Sequence, residues 1–410
     1  MNLQSRAANF SEMETQATQT DQDFRDEVRT FLDESLTDEL REAGRKRTSI
    51  WQEIKSSMAW QKILNDKGWA VPDWPVEYGG THWTLMQRYI FAQECARAST
   101  PAILPMGLRM CGPMLIGYGT DEQKDYYLPR MRSGEHIWCQ GYSEPGSGSD
   151  LASLSTFAAT DGDDYIVNGS KIWTSFAQHS NMMFALVRTS KEGIKQQGIS
   201  FLLIEMDTPG ISIEPIINLE GAHELNQVFF KDVRVPKTNR VGKENEGWSV
   251  AKYLLEFERF SMSSVELRRL LQRISTLASE TMNNGQPLAA DPDFQRKLSQ
   301  LEIDALAMET SEQRVLANLQ AGHRPGSISS VLNAISAETL QRADELGVEV
   351  AAYYSLAYDP KVLNVGGPPP IGPELAITLT PTYLNNRMRT IAGGSAEIQR
   401  NIVAKAILGL

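Results

Sequence analysis

Cysteine is scarce in this chain: three in 410 residues, Cys95, Cys111 and Cys139, with no CxxC pair among them. An odd count without a framework excludes a disulfide scaffold and reads as buried free thiols in a reducing, cytoplasmic setting. Histidine is nearly as sparse, five scattered residues without ligand spacing, so no metal centre is expected. No apolar run approaches the roughly 20 residues needed to cross a bilayer. Met1 to Gln22, rich in Gln, Thr, Ser and Glu, lacks the apolar stretch of a secretory signal. Positive charge is in deficit, with 40 Lys and Arg against 51 Asp and Glu, a net charge of −11. A field of that sign repels nucleic acid and anionic membrane, so neither is an expected partner. It also slows an anionic ligand unless local basic residues guide it.

What is present has three successive hydrophobic periods. From Asp21 to Ser133 the spacing is helical, with Phe24, Val28, Phe31 and Leu32 on one face. Val71-Pro72-Asp73-Trp74-Pro75 and Gly79-Gly80 break it before it resumes through Met86, Ile90 and Cys95. From Glu135 to Gly242 the pattern is that of strands. Tyr165-Ile166-Val167, Asn168-Gly169 and Lys171-Ile172-Trp173 predict a hairpin with its tight turn at Asn168-Gly169. Phe201 to Ile204 and Val228 to Phe230 suit buried strands, and Pro236 ends the region. From Glu246 the period is helical again, interrupted at Gly285-Gln286-Pro287 and at Gly366 to Pro370. The expected class is α+β: a flexible tail over 1–20, a helical domain over 21–134, a strand domain over 135–245 and a helical domain over 246–410.

The loop Gln140-Gly141-Tyr142-Ser143-Glu144-Pro145-Gly146-Ser147-Gly148-Ser149-Asp150 opens the strand region. Such a loop is most often only a turn, but small residues also let backbone approach a planar ligand while hydroxyls and N–H groups supply donors. Together with Lys171-Ile172-Trp173-Thr174-Ser175, the run Phe230 to Pro236, and Gly393-Gly394-Ser395-Ala396-Glu397-Ile398-Gln399-Arg400, it resembles the acyl-CoA dehydrogenase family. The likeness runs from about Asp21 to the C-terminus. It implies an N-terminal helical domain, a middle β-barrel and a C-terminal four-helix bundle, with FAD at a subunit interface. Carried over by position, it implies that Gln140, Tyr142, Ser143 and Ser149 lie along the flavin and the start of the CoA chain. Trp173 is to cover a flavin edge and Ser175 to bond near its reactive nitrogen. Ser395 and Glu397 match further FAD contacts. Ser143 and Ser175 stand where threonine is commoner, and both keep the hydroxyl.

The family's chemistry removes a proton beside the thioester carbonyl while the flavin accepts a hydride from the next carbon. Most members carry the base as a Glu at the position of Gly393, which has no side chain. A minority, including isovaleryl-CoA dehydrogenase, carry it on the first helix of the C-terminal domain, immediately before an Arg. Glu258, before Arg259 in Leu254-Leu255-Glu256-Phe257-Glu258-Arg259-Phe260, falls on that position. Val250, Leu254 and Glu258 share a helical stripe, and a carboxylate among apolar neighbours has the raised pKa that suits a general base. The plainer alternative is a solvated helix residue. Arg259 is open between holding a CoA phosphate, pairing with an acid and simple solvation. The flavin ribityl hydroxyl and the backbone N–H of Gly393 or Gly394 are the expected polarisers of the substrate carbonyl.

Two family features are missing. Where members that are homotetramers carry Arg-x-x-Phe-Gly and then Gln-x-x-Gly-Gly to hold the adenine half of a neighbour's FAD, this chain has Asp291 to Lys297 and Leu346 to Tyr354. These departures resemble the large subunits of pimeloyl-CoA dehydrogenase-like heteromeric enzymes. They imply a homologous second subunit, with a homo-oligomer as the alternative; the family resemblance implies electron-transfer flavoprotein as the electron acceptor. The rival readings are an acyl-CoA oxidase or monooxygenase on the same fold, or a non-catalytic subunit of a heteromeric dehydrogenase.

Overall fold

The computed structural model describes residues 19–48, 53–259, 262–320, 327–357 and 359–410; side chains of 256–259 and 319–320 fall outside that description. Most of the expected flexible tail therefore lies outside the described residues, and Gln19 and Thr20 already belong to the first helix.

Helix α1 (Gln19–Ser35) buries Phe24, Val28 and Leu32 along one stripe, so the helical period of the sequence translates directly into packing. Next come α2 (Asp38–Lys46), capped by Thr37, and α3 (Ile54–Lys67), ended by Gly68 in the left-handed conformation. The proline- and glycine-rich break follows as turns and a short 3₁₀ segment. Helix α4 (Leu85–Arg97) starts at a capping box in which Thr84 and Gln87 satisfy each other's backbone N–H groups. Its Glu94, 2% exposed, is bonded by Arg25, Arg29 and Arg97 at 2.7, 3.0 and 2.7 Å, tying α1 to α4. Helices α5 (Gly112–Tyr118) and α6 (Asp121–Ser133) complete this region. Gly112 is required by close approach, because a Cβ there would lie 2.1 Å from the Trp74 ring.

Eight strands follow: β1 (Trp138–Gly141), β2 (Phe157–Asp161), β3 (Asp164–Lys171), β4 (Met182–Arg188), β5 (Ile199–Glu205), β6 (Ile211–Ile217), β7 (His223–Pro236) and β8 (Arg240–Val241). They form one sheet in the order β6-β7-β3-β2-β4-β5-β8, with β1 added parallel to β4. The pairing runs as an open path, and among the described residues no ladder joins β6 to β8 into a closed ring. Strands β4 and β5 are buried on both faces. Phe184, Leu186, Phe201 and Leu203 join the core of the N-terminal helices, while Met183, Ala185, Leu202 and Ile204 join a second core inside the sheet.

The hairpin expected at Asn168-Gly169 is not formed. Strand β3 runs through both residues, and the chain turns earlier, at Gly162 (φ +58°), between β2 and β3. Asn168-Gly169 instead marks a bulge: Val167 faces Val233 but Gly169 faces Phe230, leaving Asp232 (φ +53°) as the extra residue. The Asn168 amide donates to Asp232 Oδ1 at 3.1 Å and its Oδ1 accepts from Asp232 N–H at 2.9 Å. A tolerance for unusual backbone angles serves a bulge as well as a turn, and nothing local separates the two.

The rest is helical apart from a short antiparallel pair, Met282–Asn283 with Gln286–Pro287: α7 (Gly247–Arg259), α8 (Ser263–Glu280), α9 (Pro292–Gln320), α10 (Ile328–Ala351), α11 (Leu379–Asn385) and α12 (Ala396–Val403). Helices α8, α9 and α10 share a third core of Leu271, Ile274, Phe294, Leu301, Leu340 and Leu346. Helix α7 packs elsewhere: Val250, Ala251 and Leu254 belong to the core shared by the N-terminal helices and the sheet.

Candidate active site

The loop after β1 is held from inside. Tyr142 is buried, edge-on to Phe184 and Phe201 with ring centroids 5.9 and 6.3 Å away. Glu144 and Ser147 exchange backbone hydrogen bonds of 2.9 Å and close the turn. The Glu144 carboxylate accepts from Ser155 N–H (2.6 Å), Ser155 Oγ (2.8 Å), Thr156 N–H (2.9 Å) and the Lys171 ammonium (2.7 Å). Lys171 also donates to the Tyr142 carbonyl at 3.1 Å. Both side chains are out of water, at 0% exposure for Lys171 and 4% for Glu144. Burial opposes the charge of Glu144, but the Lys171 charge and the surrounding donors outweigh it and lower the carboxyl to about 2. Burial also lowers Lys171 to about 8, against the pull of Glu144.

That pair fixes the loop against the end of β3, and the next residues are the flavin-edge candidates. Ile172 N–H donates to the Ser143 carbonyl at 2.9 Å. Trp173 then adopts φ +61°, a conformation that costs a bulky residue, and Phe176 adopts φ +59°. Trp173 is 56% exposed, while Ser175 and Ser143 are half-buried. Gln140 is a half-buried residue of β1 opposite Phe184, and Ser149 is exposed. The Glu144–Lys171 pair and the Ile172–Ser143 bond thus join the loop and the Trp173–Ser175 segment into one wall, with the Tyr142 ring turned into the core and Gln140 back on β1.

The C-terminal candidates form a second group. Gly393 (φ +68°) and Gly394 (φ +93°) make the left-handed turn before α12. Their carbonyls accept from the Gln399 amide at 3.3 and 3.1 Å. Ser395 caps α12 by accepting from Ile398 N–H. Glu397 is exposed in the first turn, its pKa lowered by its own backbone N–H and by the Ser395 hydroxyl. Glu258 and Arg259 are the last two residues of α7, whose Val250 and Leu254 are 1% and 0% exposed; their own side chains lie outside the described residues. Among the described residues, no hydrogen bond joins the Gly393–Glu397 turn to the 140–150 loop.

Residues 18–135 match the acyl-CoA dehydrogenase N-terminal domain, 139–233 its middle domain and 245–408 its C-terminal domain. The chain belongs to the acyl-CoA dehydrogenase family. It is 35% identical over 402 residues to the acyl-CoA dehydrogenase IpdE1 of Mycobacterium tuberculosis, covering 95% of this chain and 97% of that one. Among solved structures, it resembles a chain of the Tcur3481-Tcur3483 steroid ACAD with a TM-score of 0.82, 29% identity, and 96% and 98% of the two chains covered. A chain of the ChsE4-ChsE5 complex from Mycobacterium tuberculosis gives a TM-score of 0.80, 30% identity and coverage of 96% and 98%. As an acyl-CoA dehydrogenase the chain is an oxidoreductase.

The wall fits the flavin that family members carry. Gly146 and Gly148 have open space where a Cβ would stand, and the hydroxyls nearby are small. Trp173 is the only exposed tryptophan among the described residues. Two features of this acyl-CoA dehydrogenase escaped the sequence reading. One is the Glu144–Lys171 pair; its signal was a lysine among apolar strand residues and a glutamate in the loop. The other is a junction of three regions, where Glu220 and Glu224, each 1% exposed, meet Asn385 at 3.0 and 3.3 Å, with Thr48 3.5 Å from Glu220. Burial raises both carboxyls to about 7. No local pattern announces that cluster, because its members are up to 337 positions apart.

Proposed function

We propose that this chain is the flavin-ring subunit of an FAD-dependent acyl-CoA dehydrogenase that introduces a double bond between the α and β carbons of an acyl-CoA thioester. The observation that carries the reading is the wall: the buried Glu144–Lys171 pair locks the Gln140–Asp150 loop to the segment that presents Trp173 and Ser175. On this reading Gln140, Tyr142, Ser143, Ser149 and Ser175 line the flavin and the start of the CoA chain, Trp173 covers a flavin edge, and Ser395 and Glu397 contact FAD. When bound, FAD would supply the acceptor for the hydride from the β carbon.

The chain supplies the proton chemistry. Glu258 takes the proton from the carbon beside the thioester carbonyl, which requires its carboxylate form at the start of the step. The Gly393 and Gly394 N–H groups, on a turn already held by Gln399, donate to the carbonyl oxygen as charge gathers there. Arg259 serves substrate binding. The placement of Glu258 is supported by its helix, since Val250 and Leu254 on the same stripe are buried.

The partner is a homologous second subunit. The family's adenine-holding motifs are replaced here by a segment in which Asp291 caps α9 and by exposed Tyr353, 88% accessible. Leu356, Ile371 and Ile391 add exposed apolar surface to the same C-terminal region. The relatives described as complexes favour such an assembly, and the one described as a steroid ACAD favours a steroid-derived acyl group. Electron-transfer flavoprotein receives the electrons. A cytoplasmic location is supported by the free thiols Cys111 and Cys139, both buried. Among the described residues no helix is long and apolar enough to cross a membrane.

The test is to purify the chain alone and with its co-expressed genomic neighbour, and to measure flavin content, mass and acyl-CoA dehydrogenation. A flavin-bearing heteromer that loses dehydrogenation, but not flavin, on Glu258→Gln is the expected result. A homotetramer of the chain alone with one FAD per subunit refutes the partner. Stoichiometric oxygen consumption without added acceptor converts the reading to an oxidase.

A further inference from the structure

The segment that carries Trp173 and Ser175 is not simply the end of a strand. Lys171 faces Val228 in the β3–β7 ladder. Beyond it, Thr174 N–H donates to the Asn226 carbonyl at 3.0 Å and Phe176 N–H to the Glu224 carbonyl at 2.9 Å. From Lys171 to Thr174 the chain advances three residues while β7 advances two. One residue is extra, and the left-handed Trp173 absorbs it. This bulge turns the indole outward into solvent and re-aims everything that follows. A one-residue slip moves each side chain to the opposite face, so the bulge decides which way Thr174 and Ser175 point.

Beyond these backbone bonds, one buried side chain ties the bulge to β7. Asn226 is 0% exposed. Its Nδ2 donates to the Thr174 carbonyl at 3.0 Å and to Gln178 Oε1 at 2.6 Å. Both backbone groups of Thr174 therefore end on Asn226. The Asn226 Oδ1 is 2.8 Å from the His223 ring nitrogen Nε2, and Gln178 is anchored in turn by donating to the His223 carbonyl at 2.9 Å. The role requires two donors and one acceptor on a short stem, which only asparagine supplies; an aspartate of the same shape has no donor. Positive φ at both Trp173 and Phe176 persists only where the surroundings over-determine it.

We infer that Asn226 is a positioning residue for the flavin side of the site: it fixes the Trp173 bulge and so sets where the indole and the Ser175 hydroxyl meet the cofactor. The inference rests on the proposed flavin role of Trp173 and Ser175. Asn226 itself acts through Thr174 and reaches the cofactor only by way of that bulge.

The experiment uses the flavin-bearing form of the enzyme, heteromer or chain alone, as wild type, Asn226→Asp and Gln178→Leu. Each is titrated with FAD after removal of its flavin, and the absorption spectrum and midpoint potential of the bound flavin are recorded beside the melting temperature. Asn226→Asp is expected to weaken FAD binding about tenfold, with a displaced flavin spectrum and potential. Gln178→Leu, which removes the acceptor that orients the Asn226 amide together with the Gln178 donor to the His223 carbonyl, leaves both Asn226–Thr174 bonds in place and shifts the same readouts less and in the same direction. It also keeps the test decisive if Asn226→Asp does not fold. Variants that melt earlier but bind flavin with unchanged affinity, spectrum and potential overturn the inference and leave Asn226 a stability residue. If the wild-type protein takes up no flavin in any form, the cofactor reading falls and this inference falls with it. If the wild type binds flavin and the variants match it, the inference alone falls.

Discussion

Lys171→Met is the most exacting test of the wall. It removes an ammonium at 0% exposure that bonds Glu144 at 2.7 Å and leaves a carboxylate at 4% exposure with donors from Ser155 and Thr156 only. Breaking a buried pair by deleting one partner costs about 3–5 kcal/mol, because the survivor is a desolvated charge. The double variant Lys171→Met with Glu144→Gln removes that charge as well, so its cost falls below the sum of the single costs by about 2 kcal/mol. Urea unfolding followed by far-UV circular dichroism and by tryptophan fluorescence reads the difference as a shift in midpoint at constant slope. The same pair gives a pH signature. The folded Glu144 carboxyl sits at about 2, below the unfolded carboxylate range, so its contribution is complete above about pH 4.5 and disappears as pH falls toward 2. Lys171→Met removes the cause of that shift, so the acid limb of the stability curve flattens. A loss below about 1 kcal/mol, with flavin content intact, would refute the claim that this pair anchors the loop.

Three further outcomes are expected. Glu258→Gln lowers kcat by about 10² to 10⁴-fold while flavin absorbance stays the same; unchanged turnover would return the chain to the non-catalytic reading. Glu220 and Glu224 are raised to about 7 in the folded protein, so the stability they contribute is full below about pH 4.5 and is lost as pH rises through 7. Melting temperature therefore drops between pH 5 and 8, and Glu220→Gln makes the drop shallower; parallel curves for the two proteins contradict the assignment. Gly44→Ala costs about 1–3 kcal/mol, since a Cβ there would stand 1.8 Å from the Ser99 carbonyl oxygen. A melting temperature equal to wild type would show that α2 can move off that contact.

The legible part of this protein was whatever depends on neighbours in sequence. The helical stripe of Phe24, Val28 and Leu32, the break between Val71 and Gly80, and the end of β7 at Pro236 follow from side-chain period and from the missing N–H of proline, and they stand as expected. The loop, the Lys171–Ser175 segment and the Gly393–Arg400 stretch carried the family in their residue types and order. Asn168-Gly169 shows the limit: its backbone freedom was legible, but whether it made a turn or a bulge depended on β7 lying alongside.

What the tertiary structure decided was pairing across distance. Glu144 with Lys171, Glu220 with Asn385 and Asn226 with Thr174 are hydrogen-bonded partners that lie apart in sequence. Each is a buried polar group whose desolvation must be met by a particular partner, and the sequence carries the need without naming the partner. The sequence by itself determined the period, the breaks and the chemistry available at each position. The fold determined which of those groups stand within 3 Å of one another, because only burial makes such a pairing obligatory.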